Sequence, residues 1–198
     1  MSWNLAKRML VLGAALLLLC VRTEAADRQI RPFAGATFGG TTPFVDFEDA
    51  ASKLHPAIGV DAVFLGEMFG VDIDVADVPG FMEADNQLVV HSRVTTLCGN
   101  VVIAAPRRLA EYSLRPYVVA GGGLMRARRI TSFNVFDVSS VTPAFDVGVG
   151  AVAFVTNKTG VAWDVRRFQS FSDSSERTAG ADDHLSFWRA TMAVVFRY

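Results

Sequence analysis

Hydrophobic and polar residues alternate with a period of two along several stretches of this chain. In the clearest stretch, at residues 69–76, Phe69, Val71, Ile73 and Val75 take the odd positions, and glycine, aspartate or alanine takes each even position. Successive side chains of a β-strand point to opposite faces, so this stretch predicts a strand with one apolar face and one small or polar face. A helix, with about 3.6 residues per turn, would scatter both sets around its axis.

The same alternation, together with β-branched and aromatic content between turn-forming residues, predicts further strands along the chain. The facing of some of them, including the first and the fourth, is not resolved by the pattern. The predicted strands cover residues 30–38, 57–65, 69–78, 88–104, 114–125, 143–154, 160–170 and 187–198.

The connections between these strands differ in length at the two ends of the predicted bundle. Consecutive antiparallel strands place every second connection at the same end. One end therefore carries three shorter turns and both termini, and the other carries the longer loops, as in transmembrane β-barrels. The pattern predicts an all-β fold, an eight-stranded antiparallel up-and-down transmembrane barrel. Its longer loops are expected at residues 39–56, 79–87, 126–142 and 171–186.

The beginning of the chain has the pattern of a secretory signal peptide. Lys7 and Arg8 precede an apolar stretch at residues 9–21, and Thr23 and Ala25 place small residues at the positions that signal peptidase requires. The apolar stretch is shorter than the ~20 residues that a spanning helix needs. A cleaved signal peptide is therefore favoured over a membrane anchor.

We accordingly expect residues 1–25 to be removed and residues 26–198 to form one barrel domain; lipoprotein processing at Cys20 is a further alternative. The hydrophobic fraction of 51% and the mean hydropathy of +0.31 are high for a soluble protein. No later apolar run is long enough for a spanning helix. The formal net charge of -1 argues against a nucleic-acid partner.

The alternation by itself fits two kinds of exported barrel, a soluble one with charges outside and a membrane one with charges inside. The polar face is rich in glycine and aspartate and has no lysine, which favours a narrow lumen. The chain also ends on a strand that can close the barrel. Aromatic residues near strand ends are expected to form interfacial girdles. They are Phe33, Phe38, Phe69, Tyr117, Phe154, Phe168 and Phe196.

Charged residues on the polar face are expected to pair across the lumen, because buried charges require partners. A gate formed by Asp164 and Arg166, and cation binding by the aspartates of residues 61–74, are the functional alternatives. No metal or cofactor site is predicted. The expected ion-pair network consists of Asp61, Asp72, Asp74, Arg93, Asp146, Asp164, Arg166 and Arg189.

Two further groups carry candidate chemistry. Arg126, Arg128 and Arg129 begin the third longer loop, where their guanidinium groups could bind lipopolysaccharide phosphates or form a solvated rim. His184 and Ser186 lie on one strand face, as a catalytic pair would, but no suitably placed acid accompanies them. We therefore expect no enzymatic activity.

Three segments resemble motifs of a known family. Residues 114–123 resemble its RPY-x-x-x-G-x-G strand, and residues 146–166 resemble its G-x-G hairpin, which ends in G-x-x-x-D-x-R. Val194, Phe196 and Tyr198 resemble its C-terminal assembly signal, although the family usually ends in phenylalanine. The chain is thus similar to the outer-membrane β-barrel domain family, the small eight-stranded barrels of OmpA, OmpX and opacity-protein type.

The resemblance implies a place in the bacterial outer membrane. The implied partners are outer-membrane lipid and lipopolysaccharide, the barrel-assembly machinery, periplasmic chaperones and an extracellular ligand. Two classes of function stay open: a non-enzymatic structural or surface-contact protein acting through its external loops, and a small-solute channel or lipid A-modifying barrel.

Overall fold

The computed structural model describes residues 27–41, 53–81, 89–106, 114–131, 137–171 and 185–198. The predicted signal peptide lies outside these residues. The described strands form one closed barrel in which each strand pairs with its neighbours in sequence and the first strand pairs with the last, always antiparallel. No helix in the described residues is long and apolar enough to cross a membrane.

All of the predicted strands are present, with small shifts at most ends. The first and last strands pair with each other and close the barrel, with Gln29 of the first strand opposite Arg197 of the last. The strands are β1 Asp27–Thr41, β2 His55–Leu65, β3 Phe69–Pro79, β4 Val89–Ala104, β5 Leu114–Thr131, β6 Asp137–Phe154, β7 Thr159–Ser170 and β8 Ser186–Arg197.

The third longer loop is much shorter than predicted. β5 continues to Thr131 and β6 begins at Asp137, so most of residues 126–142 is paired strand, with Arg126 opposite Val141. The apolar alternation stops in this region because the hairpin is charged and polar here. Backbone pairing does not need that alternation, so the sequence pattern underestimated both strands.

The apolar face of each strand is turned outward. On β3, Phe69 and Ile73 are 59% and 47% exposed, whereas Asp72 and Asp74 are buried. The same inversion holds around the barrel: Val149 is 59% exposed on β6. Of the two barrels compatible with the alternation, the structure has the one with charges inside.

The lumen is filled in layers. At the end where β1 joins β2, which we call the upper end, an apolar layer contains the stacked rings of Phe168 and Phe187, and Phe81 packs on Phe187. The buried charges form the middle layer. Below it lies a second apolar layer, with Val63, Leu65 and further residues of the neighbouring strands.

Four of the aromatic residues assigned to girdles point inward instead. Phe33, Tyr117 and Phe168 are buried in the lumen, and Phe154 packs against its lower part. Their side chains share the inward face with the buried charges on their strands, so proximity to a strand end does not decide whether an aromatic side chain faces outward.

Glycines on the inner face accommodate some of these rings. Tyr117 lies opposite Gly150, and a Cβ atom at Gly150 would be 2.6 Å from the Tyr117 ring. The close approach of ring and backbone requires glycine at this position, which explains the second glycine of the G-x-G motif.

One arginine ties together two turns at the lower end. Arg115 Nε donates to the carbonyl oxygen of Ala105 at 2.8 Å, and its Nη2 donates to the carbonyl oxygens of Gly66 and Glu67 at 3.1 and 2.5 Å. The side chain is buried, so these charge-assisted hydrogen bonds fix the turns 66–68 and 105–106 against the barrel.

Candidate functional site

Arg166 is the centre of the charged layer. Its Nη1 is 2.8 Å from Asp72 Oδ2, and its Nη2 is 3.0 Å from Asp164 Oδ2 and 3.4 Å from Asp61 Oδ2. The carboxylates of Asp74 and Asp146 lie at 3.6 and 3.8 Å. β7 places this guanidinium opposite β2 and β3, so one side chain links strands across the lumen.

Arg189 connects the charged layer with the apolar layer above it. Both of its terminal nitrogens donate to the two oxygens of Asp74, a bidentate arrangement. Its guanidinium also lies 4.8 Å from the ring centre of Phe33 and 4.6 Å from that of Phe168. The cation is therefore held by a carboxylate and by aromatic faces.

Sequence reasoning missed several lumen residues. Arg31 is buried, donates to Gln29 Oε1 at 2.9 and 2.7 Å, and lies 5.3 Å above the Tyr117 ring. Tyr117 in turn donates to Asp164 Oδ2 at 3.2 Å. The available signal was the run of alternate residues Gln29, Arg31 and Phe33 on β1, but the small outward residues of that strand obscured its facing.

The structure brings together seven of the eight residues assigned to the lumen network, and Arg31 adds a third guanidinium to the two assigned ones. Five buried carboxylates, those of Asp61, Asp72, Asp74, Asp146 and Asp164, share the lumen with these three cations. Within the described part of the chain, no group of three or more His, Cys, Asp or Glu residues could hold a metal ion. The arrangement holds strands together electrostatically, between two apolar layers.

The prediction that Arg93 faces the lumen is wrong. Its side chain is 65% exposed, and its Nε donates to Asp77 Oδ1 at 2.6 Å on the outer face. Neighbouring Ser92 and Val94 are the buried residues of this part of β4. Because side chains alternate along a strand, Arg93 must point outward.

The arginines assigned to a loop lie on strand β5. Arg126 and Arg128 are exposed on its outer face, and Arg128 lies directly opposite Arg93 on β4. Arg129 is the backbone partner of Ser92, and its side chain lies outside what the structure describes. We call Arg93, Arg126 and Arg128 the outer arginine cluster.

The residues of the predicted assembly signal lie at the C-terminal end of β8, Val194 and Phe196 within the strand and Tyr198 directly after it. Val194, Phe196 and Tyr198 are all exposed there. Arg197 points to the other side and donates to Asp27 Oδ2 at 2.8 Å across the seam between the first and last strands. His184, of the candidate catalytic pair, lies outside the described residues.

Comparison with known proteins finds matches among solved structures only; no family model and no curated protein matches the chain. Neisserial surface protein A is 11% identical with a TM-score of 0.64, over 88% of this chain and 100% of that chain. The N-terminal β-barrel domain of Pseudomonas aeruginosa OprF is 15% identical with a TM-score of 0.52, over 88% and 98%.

A third solved structure is that of Ail from Yersinia pestis in complex with the heparin analogue sucrose octasulfate. It is 13% identical with a TM-score of 0.52, over 88% of this chain and 100% of that chain. The chain therefore has the fold of the small eight-stranded outer-membrane barrels. The resemblance drawn from the sequence motifs is confirmed at the level of the fold.

Proposed function

We propose that this protein is a non-enzymatic barrel of the bacterial outer membrane that has a structural or surface-contact role. The observation that carries the proposal is the outer face. Among the described residues, its middle zone carries no charged side chain on any strand, while the charged side chains at this height lie in the lumen. Such a surface requires an apolar solvent.

The height of this apolar zone supports the proposal. On β5 it extends from Leu114 to Leu124, ten residues further along. At about 3.4 Å per residue and a tilt of about 40°, that length rises about 26 Å, close to the roughly 25 Å apolar band of outer-membrane barrels. Arg126 and Arg128 begin directly above it.

The layered lumen favours a structural protein over a channel. Arg166 and Arg189 form ion pairs with the surrounding aspartates, and apolar side chains pack above and below them. A barrel of eight strands is narrow enough for its own side chains to fill. Contacts with other molecules then fall to the outer surface and to the loops. The complex of Ail with a heparin analogue supports a surface-contact role for a barrel of this fold.

Membrane fractionation tests the location. We expect the expressed protein in the outer-membrane fraction, with a gel mobility that changes on heating after detergent extraction. Sequencing of its N-terminus is expected to begin at residue 26, after removal of the signal peptide. Protein that remains in the soluble periplasmic fraction would contradict the membrane assignment.

Mass spectrometry of lipid A tests the absence of enzymatic activity. Expression of the wild-type chain is expected to leave the lipid A masses of the host unchanged. A mass shift that disappears in the His184→Ala variant, with equal amounts of folded protein, would overturn the non-enzymatic assignment and identify the barrel as lipid-modifying.

A further inference from the structure

The charged layer of the lumen contains more acidic than basic side chains. Its cations are Arg31, Arg166 and Arg189, and its acids are the five buried aspartates of the network. Five carboxylates against three guanidinium groups would leave two negative charges without a counter-charge among the described residues. A buried charge without a partner is so costly that the group becomes neutral instead. The surplus therefore requires two acids of this layer to be un-ionised.

Three of the aspartates are held as carboxylates. Asp74 accepts hydrogen bonds on both oxygens from Arg189. Asp72 Oδ2 lies 2.8 Å from Arg166 Nη1, and Asp164 Oδ2 lies 3.0 Å from Arg166 Nη2. Charge-assisted hydrogen bonds of this length stabilise the ionised form of an acid. These three carboxylates equal the cations of the layer in number.

Asp61 is the first of the remaining acids, and it lies opposite another acid. It is the direct cross-strand partner of Asp74, and the two buried carboxyl groups are within hydrogen-bonding reach of each other. Two carboxylates in that position repel, whereas a carboxylic acid can donate its proton to the carboxylate. Asp61 Oδ1 has no other hydrogen-bond partner, and Oδ2 is 3.4 Å from Arg166. Since Arg189 holds Asp74 ionised, the proton belongs to Asp61.

Asp146 is the second remaining acid. Neither of its oxygens has a hydrogen-bond partner among the described residues, and its contact with Arg166 Nη1 is 3.8 Å long. Asn100 is 3% exposed, and its Oδ1 also lacks a donor. Gly121 lies between these two residues in the register of β4, β5 and β6, and the Asn100 oxygen lies over this glycine. An un-ionised Asp146 brings a hydrogen-bond donor to this group of acceptors.

From these observations we infer that the lumen holds two protons at a pH at which exposed aspartates have released theirs, one on Asp61, shared with Asp74, and one on Asp146. The layer then contains equal numbers of carboxylates and guanidinium groups. A rise in pH that removes these protons leaves two unpaired buried charges, so the lumen is a pH-sensitive element of the barrel. The titratable and charged side chains of the layer, strand by strand, are Arg31 on β1, Asp61 on β2, Asp72 and Asp74 on β3, Cys98 on β4, Tyr117 on β5, Asp146 on β6, Asp164 and Arg166 on β7, and Arg189 on β8.

Infrared spectroscopy of the refolded barrel in micelles tests the inference directly, because the carbonyl stretch of an un-ionised carboxylic acid lies apart from the carboxylate bands. The test variants are Asp61→Asn, Asp146→Asn and their combination, in which an amide replaces the acid at nearly the same shape. The matched control is Asp77→Asn, which removes the carboxylate that pairs with Arg93 of the outer arginine cluster. At about pH 6, where exposed aspartates are ionised, we expect the acid band in the wild type and the control. Each single variant should lose part of the band, and the double variant should lose it.

Urea titration measures the consequence for stability. From about pH 6 to about pH 8 the unfolded chain has released these protons and the folded lumen still binds them, so a rise in pH favours unfolding. The wild-type and Asp77→Asn midpoints should therefore fall more steeply with pH than that of the double variant, in which all other titrating groups remain. At about pH 6, Asp72→Asn should unfold at less urea than Asp61→Asn, because only Asp72 is an ionised partner of Arg166.

A folded wild type without the acid band, or a double variant that retains the whole band, would overturn the inference. A pH dependence as steep in the double variant as in the wild type would do the same. A folded barrel that lacks the band and gains stability from added sodium or potassium salt would assign the counter-charge to a bound cation, and would also overturn it. The wild-type spectrum decides the question even if the double variant fails to fold. Membrane fractionation tests the location separately, so neither result determines the other.

Discussion

At the scale of single residues, Arg166 determines whether the charged layer is stable. It lies within 4 Å of five carboxylates, and its side chain is 1% exposed. Desolvation makes each of these charges costly, and only their mutual attraction offsets that cost. Removing the shared cation therefore leaves several carboxylates uncompensated at once.

We predict that Arg166→Met lowers the free energy of unfolding by about 3–5 kcal/mol, the range for breaking a buried ion pair. Urea titration of the refolded barrel, followed by the change in gel mobility, measures this loss. Arg93→Met is the matched control, because that arginine pairs with Asp77 on the exposed face, and its unfolding midpoint should stay at the wild-type value. Equal midpoints for the two variants would contradict the prediction.

A second residue-scale prediction concerns the glycine beneath a buried ring. Gly150→Ala forces a Cβ atom to 2.6 Å from the ring of Tyr117, so we expect a loss of about 1–3 kcal/mol from overpacking. Gly99→Ala is the control, because its Cβ meets nothing within 4 Å. The same urea titration compares them. A Gly150→Ala barrel as stable as the Gly99→Ala barrel would contradict the assigned contact.

Period two accounts for much of what was predictable at this scale. It placed Asp72 and Asp74 on one face because their neighbours are strongly apolar. It failed at Arg93, because polar residues occupy both faces of β4 in this region and the alternation does not show which residues face inward. It also missed Arg31, because the small outward residues of β1 obscured the facing of that strand, and only the closed barrel shows that Arg31 meets the ring of Tyr117.

At the scale of elements, the number and order of the strands were predictable, and the upper ends of β5 and β6 were not. The apolar alternation records the part of a strand that faces an apolar environment. Above Leu124 the outward residues of β5 are Arg126 and Arg128, and the hairpin continues through backbone pairing. The hydropathy pattern therefore does not predict how far a strand continues beyond the apolar zone.

The element-scale prediction concerns the tether at the lower end. Arg115→Met removes the hydrogen bonds to the turns at residues 66–67 and 105. We expect amide hydrogen exchange at Gly66 and Ala105 to accelerate by about tenfold, the equivalent of about 1.4 kcal/mol of lost protection. NMR of the barrel in micelles measures this exchange.

The amides of the third lower turn provide an internal control for that measurement. Val155 and Thr156 both donate to the carbonyl oxygen of Thr159, and Arg115 makes none of its described hydrogen bonds to this turn. Their exchange should be unchanged in Arg115→Met. Acceleration at all three turns would indicate a general loss of stability instead of a released tether.

At the scale of the whole molecule, the order of the layers decides whether the lumen conducts. Ions entering from above meet the packed rings of Phe168 and Phe187, then the ion pairs of Arg166 and Arg189, and then the lower apolar layer. The two apolar layers offer ions no hydration, and the buried ion pairs of Arg166 and Arg189 occupy the space between them. We therefore predict no stable single-channel steps in planar bilayers.

The decisive variant removes one layer and retains the others. Phe168→Ala/Phe187→Ala opens the upper apolar layer, while the network around Arg166 and the lower layer remain. If all three layers block ions, this variant should show no stable conductance steps at low voltage, like the wild type. Its heat-modifiable gel mobility must first show that it has folded. Stable steps in the variant alone would assign closure to the aromatic layer, and stable steps in the wild type would contradict the non-conducting structural role.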